Sequence, residues 1–241
     1  MLTSSIGLCP ICWAKHNRKQ TAFMPENTCS SSLKKERQGQ RMKKVLIGLL
    51  IAVGATSVAI AQGNPEAGKP LSAVCGACHG ADGNSVAPTW PKLAGQSEQY
   101  LLKQMLDIKS GQRNVAQMTG LLTNLSEQNL SDIAAYFANQ TTAIGQANPT
   151  LVEAGKALYR SGNPNTGVPA CMACHGPAGQ GLNSAAFPKL SGQHADYTAA
   201  QLKLFQSGER NNDASSIMQN IAFKMNDREI EAVSSYIQGL H

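Results

Sequence analysis

Aromatic side chains are scarce in this 241-residue chain: two Trp, five Tyr and five Phe. A core built from small domains with so few large rings buries modest area and needs a staple of some kind. A surplus of positive charge is also missing where it would matter. The formal charge of +6 looks basic, but nine of the 21 Lys and Arg lie in residues 1–61, beside only two acids. From Gln62 onward 12 basic residues face 13 acidic ones, a formal −1. That balance excludes a nucleic-acid-binding surface as the main function. No stretch alternates apolar and polar residues in the manner of a half-buried strand, so a sheet is not expected.

An apolar run of spanning length is nearly absent too. Val45–Ala61 is 17 residues, the lower limit for a membrane helix. It follows the short basic stretch Met42-Lys43-Lys44 and ends in Ala59-Ile60-Ala61, a small-x-small cleavage pattern. Residues 42–61 therefore read as a signal peptide cleaved after Ala61, with an uncleaved anchor as the alternative. Export to the periplasm follows. Residues 1–41 are polar and irregular, unlike any signal-peptide start, and read as an extension upstream of the true start at Met42. Three of the seven cysteines, Cys9, Cys12 and Cys29, fall in that extension. With His16 they imitate a zinc cluster, in a segment not expected in the mature protein.

What remains is one unit written twice. Glu66-Ala67-Gly68-Lys69 and Cys75-Gly76-Ala77-Cys78-His79-Gly80 reappear as Glu153-Ala154-Gly155-Lys156 and Cys171-Met172-Ala173-Cys174-His175-Gly176. Pro91-Lys92-Leu93-Ala94-Gly95-Gln96 reappears as Pro188-Lys189-Leu190-Ser191-Gly192-Gln193. Each copy closes on a Tyr-containing segment, around Tyr136 and Tyr236. The second copy carries an extra loop, Ser161 to Pro169, rich in Gly, Asn and Pro. The copies span 62–140 and 148–241, with 141–147 as linker.

The periodicity is helical throughout, which predicts an all-α chain. Asn64-Pro65 and Asn148-Pro149 read as an N-cap followed by proline in the first helical position. Pro70 sits inside the first helix and should kink or shorten it. Gln99–Lys109 and Asp196–Gln206 predict a middle helix in each copy. Leu130, Ile133, Ala134 and Phe137 form an apolar stripe at helical spacing, matched by Ile230, Val233, Ser234 and Ile237. Asn226 with Glu229 resembles a capping box.

C-x-x-C-H is the attachment signature of c-type haem. Cysteines at i and i+3 of a helical turn face the same way, so both can bond the vinyl groups on one porphyrin edge. The next histidine then reaches the iron. Cys75, Cys78 and His79, with Cys171, Cys174 and His175, thus predict two covalently bound haem c groups. A thioredoxin-type redox pair would require a βαβ context. One zinc site with four cysteine ligands would leave the histidine after each pair unexplained.

The repeat also selects the second axial ligand. Met118 lies 18 residues before Tyr136, and Met218 lies 18 before Tyr236. Met105 aligns with Leu202 and Met225 with Leu125, so these two read as packing residues. The assignment is His79 with Met118 and His175 with Met218; core packing is the other reading of the two methionines. The His-to-Met separations, 39 and 43, differ by one insertion before Pro188 and three between Arg210 and Met218. His194 aligns with Ser97, breaks the repeat and reads as a surface residue.

On the two C-x-x-C-H motifs, the two P-K-L-x-G-Q segments, Met118-Thr119-Gly120-Leu121-Leu122 and Ser234-Ser235-Tyr236-Ile237-Gln238-Gly239-Leu240-His241, the chain resembles the dihaem cytochrome c4 family. The resemblance covers essentially all of 62–241. It implies two tandem cytochrome c-type helical domains and His/Met ligation. It further implies that the carbonyls of Pro91 and Pro188 accept the Nδ1–H of the proximal histidines, tuning them from behind. The prolines could instead merely shape loops. Trp90 and Phe187 would wall the haem pockets or serve as ordinary core. Gly68 and Gly155 would permit a close crossing of first and last helices near Tyr136 and Tyr236. Tyr159 would join that contact in the second copy, where the first has Ser72.

The resemblance implies a monomeric, non-enzymatic electron carrier between a quinol-oxidising complex and a terminal oxidase or reductase. Loose membrane association is left open. The alternative is a dihaem subunit of a dehydrogenase complex, such as a sulfide-oxidising flavocytochrome. A dihaem catalyst would need an open or Cys-ligated iron, and the mature chain has no spare cysteine.

Overall fold

A computed structural model describes residues 62–241. The upstream extension, the export segment and the cleavage site after Ala61 lie outside the described residues, as do Cys9, Cys12 and Cys29. The fold is all-α. In the first half α1 spans Pro65–Leu71, α2 Gly76–His79, α3 Glu98–Ser110 and α4 Glu127–Ala138. In the second half α5 spans Val152–Ser161, α6 Met172–His175, α7 Ala195–Ser207, α8 Ile217–Ala222 and α9 Asp227–Gln238. Among the described residues no strand forms; only two isolated bridges occur, Asn163 with Val168 and Leu182 with Phe187.

Local chemistry sets the ends of these helices. The Asn64 side chain accepts from the N–H groups of Glu66 and Ala67 at 3.0 and 3.3 Å, satisfying donors that the helix leaves orphaned. Ser126 with Asn129 and Asn226 with Glu229 make complete capping boxes. The middle helices α3 and α7 close on Gly111 and Gly208, at φ +81° and +79°, the left-handed conformation that glycine adopts without strain. Pro70 leaves α1 at seven residues, against ten for α5, and the chain continues as a 3₁₀ turn over Ser72–Val74.

The second copy departs from expectation at its start. Asn148-Pro149 does not open α5; the helix begins at Val152 with Leu151 in the cap position. Asn148 instead closes a turn, its side chain accepting from the Thr150 N–H at 3.1 Å. Counting back from Glu66 and Glu153 explains this: Leu151, not Asn148, is the repeat partner of Asn64.

First and last helices cross at a glycine in each half. A Cβ on Gly68 would lie 1.9 Å from the Asp132 carbonyl oxygen, and one on Gly155 would lie 2.2 Å from that of Ala232. No side chain fits there, which outweighs the cost of glycine within a helix. The crossing seals the apolar stripes: Leu130, Ile133, Ala134 and Phe137 are buried, as are Ile230, Val233, Ser234 and Ile237. Each large apolar side chain so buried contributes about 1.5–3 kcal/mol.

The linker is tied down rather than loose. Asn84 holds it from the first half, donating to Thr141 O at 2.9 Å and accepting from the Ala143 N–H at 2.8 Å. Gln238 holds it from the second, donating to Gln146 O at 2.8 Å.

Candidate functional site

Each C-x-x-C-H segment forms one helical turn. The Cys75 carbonyl accepts from the N–H groups of Cys78 and His79 at 3.2 and 2.9 Å, and the Cys171 carbonyl accepts from Cys174 and His175 at 3.2 and 3.0 Å. Gly80 and Gly176 end these turns at φ +80° and +82°. Among the described residues these four cysteines form no disulfide. Burial raises the thiol pKa of Cys75, and pushes that of Cys171 up to about 11. Burial thus favours the neutral thiol at Cys75 and Cys171. Among the described residues no three His, Cys, Asp or Glu side chains gather as a metal site, so the single zinc site does not assemble.

Both histidines are buried and held from behind. His79 Nδ1 lies 2.9 Å from the Pro91 carbonyl oxygen, and His175 Nδ1 lies 2.9 Å from that of Pro188. A carbonyl only accepts, so Nδ1 carries the proton and donates. Nε2 is then left with its lone pair. Neither Nε2 has a hydrogen-bond partner among the described residues. Burial lowers both imidazole pKa values, against the opposing pull of the proline carbonyls, and so favours the neutral ring. A neutral imidazole with a free Nε2 is what coordination to a metal requires.

These groups face one large space. A cavity of about 920 Å³ is lined by Cys75, Cys78, His79, Pro91 and Met118 from the first half, and by Cys171, Cys174, His175, Pro188 and Met218 from the second. Trp90 and Phe187 also line it, and the Phe187 ring lies 6.3 Å from that of His175. Met105 and Met225 line it too, while packing on the cores of their halves. Met118 ends a 3₁₀ turn, Ala116–Met118. Met218 lies in α8, its N–H donating to the Asp213 carboxylate at 2.7 Å.

The donor set fits two iron porphyrins. Each half offers paired thiols on one turn, a neutral imidazole with a free nitrogen and a thioether sulfur. The rest of the wall is mostly apolar, with Lys103, Arg113 and Arg210 as cations suited to porphyrin carboxylates.

Two polar features of the site lie outside the sequence-based expectations. One is a cluster joining the halves. Arg113 donates to Gln104, Tyr197 and Gln201 at 2.9, 3.0 and 3.0 Å. Its repeat partner Arg210 donates to Gln201, Tyr100 and Gln104 at 2.8, 3.0 and 3.1 Å. Desolvation alone would raise the Tyr100 phenol pKa; Arg210 and Arg113 outweigh that and leave it below its ordinary value. The signal was present in the repeat, since Tyr100, Gln104 and Arg113 recur as Tyr197, Gln201 and Arg210.

The other feature is the last residue of each P-K-L-x-G-Q segment. Gln193 grips the main chain of Lys92, and Gln96 grips that of Lys189. His194 next to it is not a mere surface residue: its Nε2 lies 2.9 Å from Ser85 O and 3.1 Å from Ser85 Oγ, across the boundary between halves. Its break in the repeat marks a one-sided contact.

A sequence profile described as "Cytochrome c" matches the chain twice, over residues 65–141 and 152–241. The chain is 58% identical over 201 residues to cytochrome c4 of Pseudomonas aeruginosa, covering 83% of this chain and all of that one. A thiosulfate dehydrogenase electron acceptor of Stutzerimonas stutzeri is 38% identical over 172 residues, covering 69% of this chain and 79% of its own. Among solved structures, reduced recombinant cytochrome c4 of Pseudomonas stutzeri superposes with a TM-score of 0.73 at 54% identity, covering 74% of this chain and 100% of that one.

Proposed function

The chain belongs to the dihaem cytochrome c4 family, with two tandem cytochrome c domains and two covalently bound haem c groups, and from that premise we propose that it is a periplasmic one-electron carrier of a respiratory chain. The carrying observation is the doubled arrangement of thiol pair, proline-held imidazole and methionine on one cavity.

In this reading Cys75 and Cys78 hold one group by thioether bonds and Cys171 and Cys174 hold the other, with domains at 62–140 and 148–241. His79 and Met118 would hold one iron, and His175 and Met218 the other. When bound, each haem iron supplies a one-electron ferric/ferrous couple. A soft thioether donor favours the ferrous form and raises the potential. With a histidine and a methionine each holding the iron, no position would be left open for a substrate, which would suit a carrier and not a catalyst. Pro91 and Pro188 fix the tautomer and the ring plane of the histidines. The apolar wall keeps water from the centres.

Electrons would come from a quinol-oxidising complex and leave to a terminal oxidase or reductase, through small, transient docking contacts. Among the described residues no helix is long and apolar enough to cross a membrane. A second reading, an electron acceptor of a dehydrogenase complex, draws support from the relative that carries that name.

Acid denaturation of the exported protein followed by organic extraction tests the covalent attachment. The red pigment should stay with the polypeptide, and its departure would refute the thioether assignment. The ferric protein should show a sulfur-to-iron charge-transfer band, cut by about half in Met118→Ala and again by half in Met218→Ala, in keeping with one thioether ligand per centre. A band unchanged in both variants overturns the axial assignment. Copurification with a dehydrogenase, without reduction by a quinol-oxidising complex, would favour the second reading.

A further inference from the structure

The peptide group between Pro91 and Lys92 is used at both ends. Its carbonyl accepts from His79 Nδ1 at 2.9 Å. Its N–H, on Lys92, donates to Gln193 Oε1 at 2.9 Å, although Gln193 belongs to the other half. The second half repeats this in reverse. The Pro188 carbonyl accepts from His175 Nδ1 at 2.9 Å, and the Lys189 N–H of the same peptide donates to Gln96 Oε1 at 2.8 Å. Each glutamine closes the clasp with its amide nitrogen, Gln193 on Lys92 O at 3.0 Å and Gln96 on Lys189 O at 2.9 Å.

The amide orientation is constrained. Gln193 Oε1 also accepts from the His194 N–H at 3.1 Å, and Gln96 Oε1 from the Ser97 N–H at 2.9 Å. Flipping either side chain would set its NH₂ against two N–H donors. Gln96 and Lys92 are buried, so the clasp sits in a low-dielectric setting where hydrogen bonds in series polarise one another.

We propose that Gln193 and Gln96 are positioning residues that tune the axial histidine of the opposite half, each through a single peptide group. This rests on the reading of His79 and His175 as iron ligands. A peptide whose N–H is held by an acceptor carries more negative charge on its carbonyl oxygen. That oxygen draws harder on Nδ1–H, and the imidazole becomes a stronger donor through Nε2. A more basic ligand favours ferric iron, so losing the clasp raises the potential. Each centre is thereby sensitive to how the other half is docked.

The test uses the full holoprotein and follows each histidine ring by NMR in the diamagnetic ferrous state, with potentiometry read at the same resonances. In Gln193→Leu the His79 Nδ1–H resonance should move upfield and the potential of the first-half centre should rise. If one neighbouring bond alters the next by the 10–30% expected of hydrogen bonds in series, the change is up to about twofold in the reduction equilibrium, or up to about 18 mV at 59 mV per tenfold. His175 and its centre should hold still. Gln96→Leu should give the mirror result.

Shifts confined to the mutated half, equal shifts at both centres, or none at all would overturn the proposal, equal shifts being what a merely structural clasp produces. Gln193→Glu keeps an acceptor for the Lys92 N–H, exchanges the amide donor for a second carboxylate oxygen and adds a negative charge, so it guards against a folding defect in the leucine variant. The first-half potential should then fall or stay; a rise overturns the proposal. Iron-bound imidazole protons are displaced far upfield by the porphyrin. If wild type lacks that displacement at His79 or His175, the ligand assignment fails and takes this inference with it. If it is present without the cross-half pattern, only the inference fails.

Discussion

The two halves share one plan but differ in how firmly they build it. In the second half Leu158, Tyr159, Val168, Leu202, Met225, Ile230, Val233, Ile237 and Leu240 form a single buried cluster, against Leu101, Ile133, Ala134 and Phe137 in the first. Tyr159 accounts for much of the contrast. It is fully buried, its ring 5.6 Å from Tyr236, and its hydroxyl donates to Gly176 O at 2.7 Å, just behind His175. Ser72 stands in the matching place and only donates back to Lys69 O, at 2.8 Å, within its own turn. The first half recovers part of this through Tyr136, whose hydroxyl donates to Ala81 O at 2.9 Å. The methionine segments differ likewise. Asp213 caps the turn bearing Met218, whereas the turn bearing Met118 has no side-chain cap. One repeat can thus carry the same donors on scaffolds of different rigidity, and the first-half centre is expected to be the more mobile.

The largest predicted effect removes the contrast. Gly68→Ala and Gly155→Ala should each cost about 3 kcal/mol or more, because backbone atoms occupy the space a methyl would need. Denaturant unfolding of each variant should show its own half lost first.

Asp213→Ala should cost about 1–2 kcal/mol, since the carboxylate accepts the N–H groups of Met218 and Gln219 at 2.7 and 3.2 Å. Near-infrared absorption should show the sulfur band weakened in the second half alone, making it resemble the first.

Tyr159→Phe should cost about 1 kcal/mol through the lost hydrogen bond. It should also change the alkaline limb of stability. Burial raises the Tyr159 pKa above its ordinary value of 10.0. The folded form therefore keeps its proton where the unfolded chain loses it. The contribution is complete below pH 10 and declines as pH rises beyond it. The variant should lack that component of the decline in the second half.

The last effect has the opposite sign. Ser234 occupies the position of Ala134 in the repeat, and its buried hydroxyl oxygen has no partner among the described residues. Ser234→Ala should stabilise the second half by about 1 kcal/mol, read as a raised melting temperature.

Much of the plan was readable beforehand. The middle helices appear within one residue of each expected end, at Glu98–Ser110 and Ala195–Ser207, because thirteen-residue amphipathic stretches between polar caps have few alternatives. The glycine crossings were equally accessible. Asn148 misled because an Asn-Pro pair caps turns as well as helices; the register of the repeat held the better answer. His194 misled because a residue that breaks a repeat has no counterpart to compare with, and its partner Ser85 lies 109 positions away.

Spacing within a single turn and the recurrence of that turn are properties of the chain alone, and they were enough to name the thiol pairs, the histidines, the candidate sulfurs and the helical architecture. How one half grips the other is different in kind. The glutamine clasps and the arginine–tyrosine cluster join residues roughly a hundred positions apart; the repeat marks these residues but does not say which of them pair. They exist because docking desolvates backbone and side-chain groups that must then find partners across the interface.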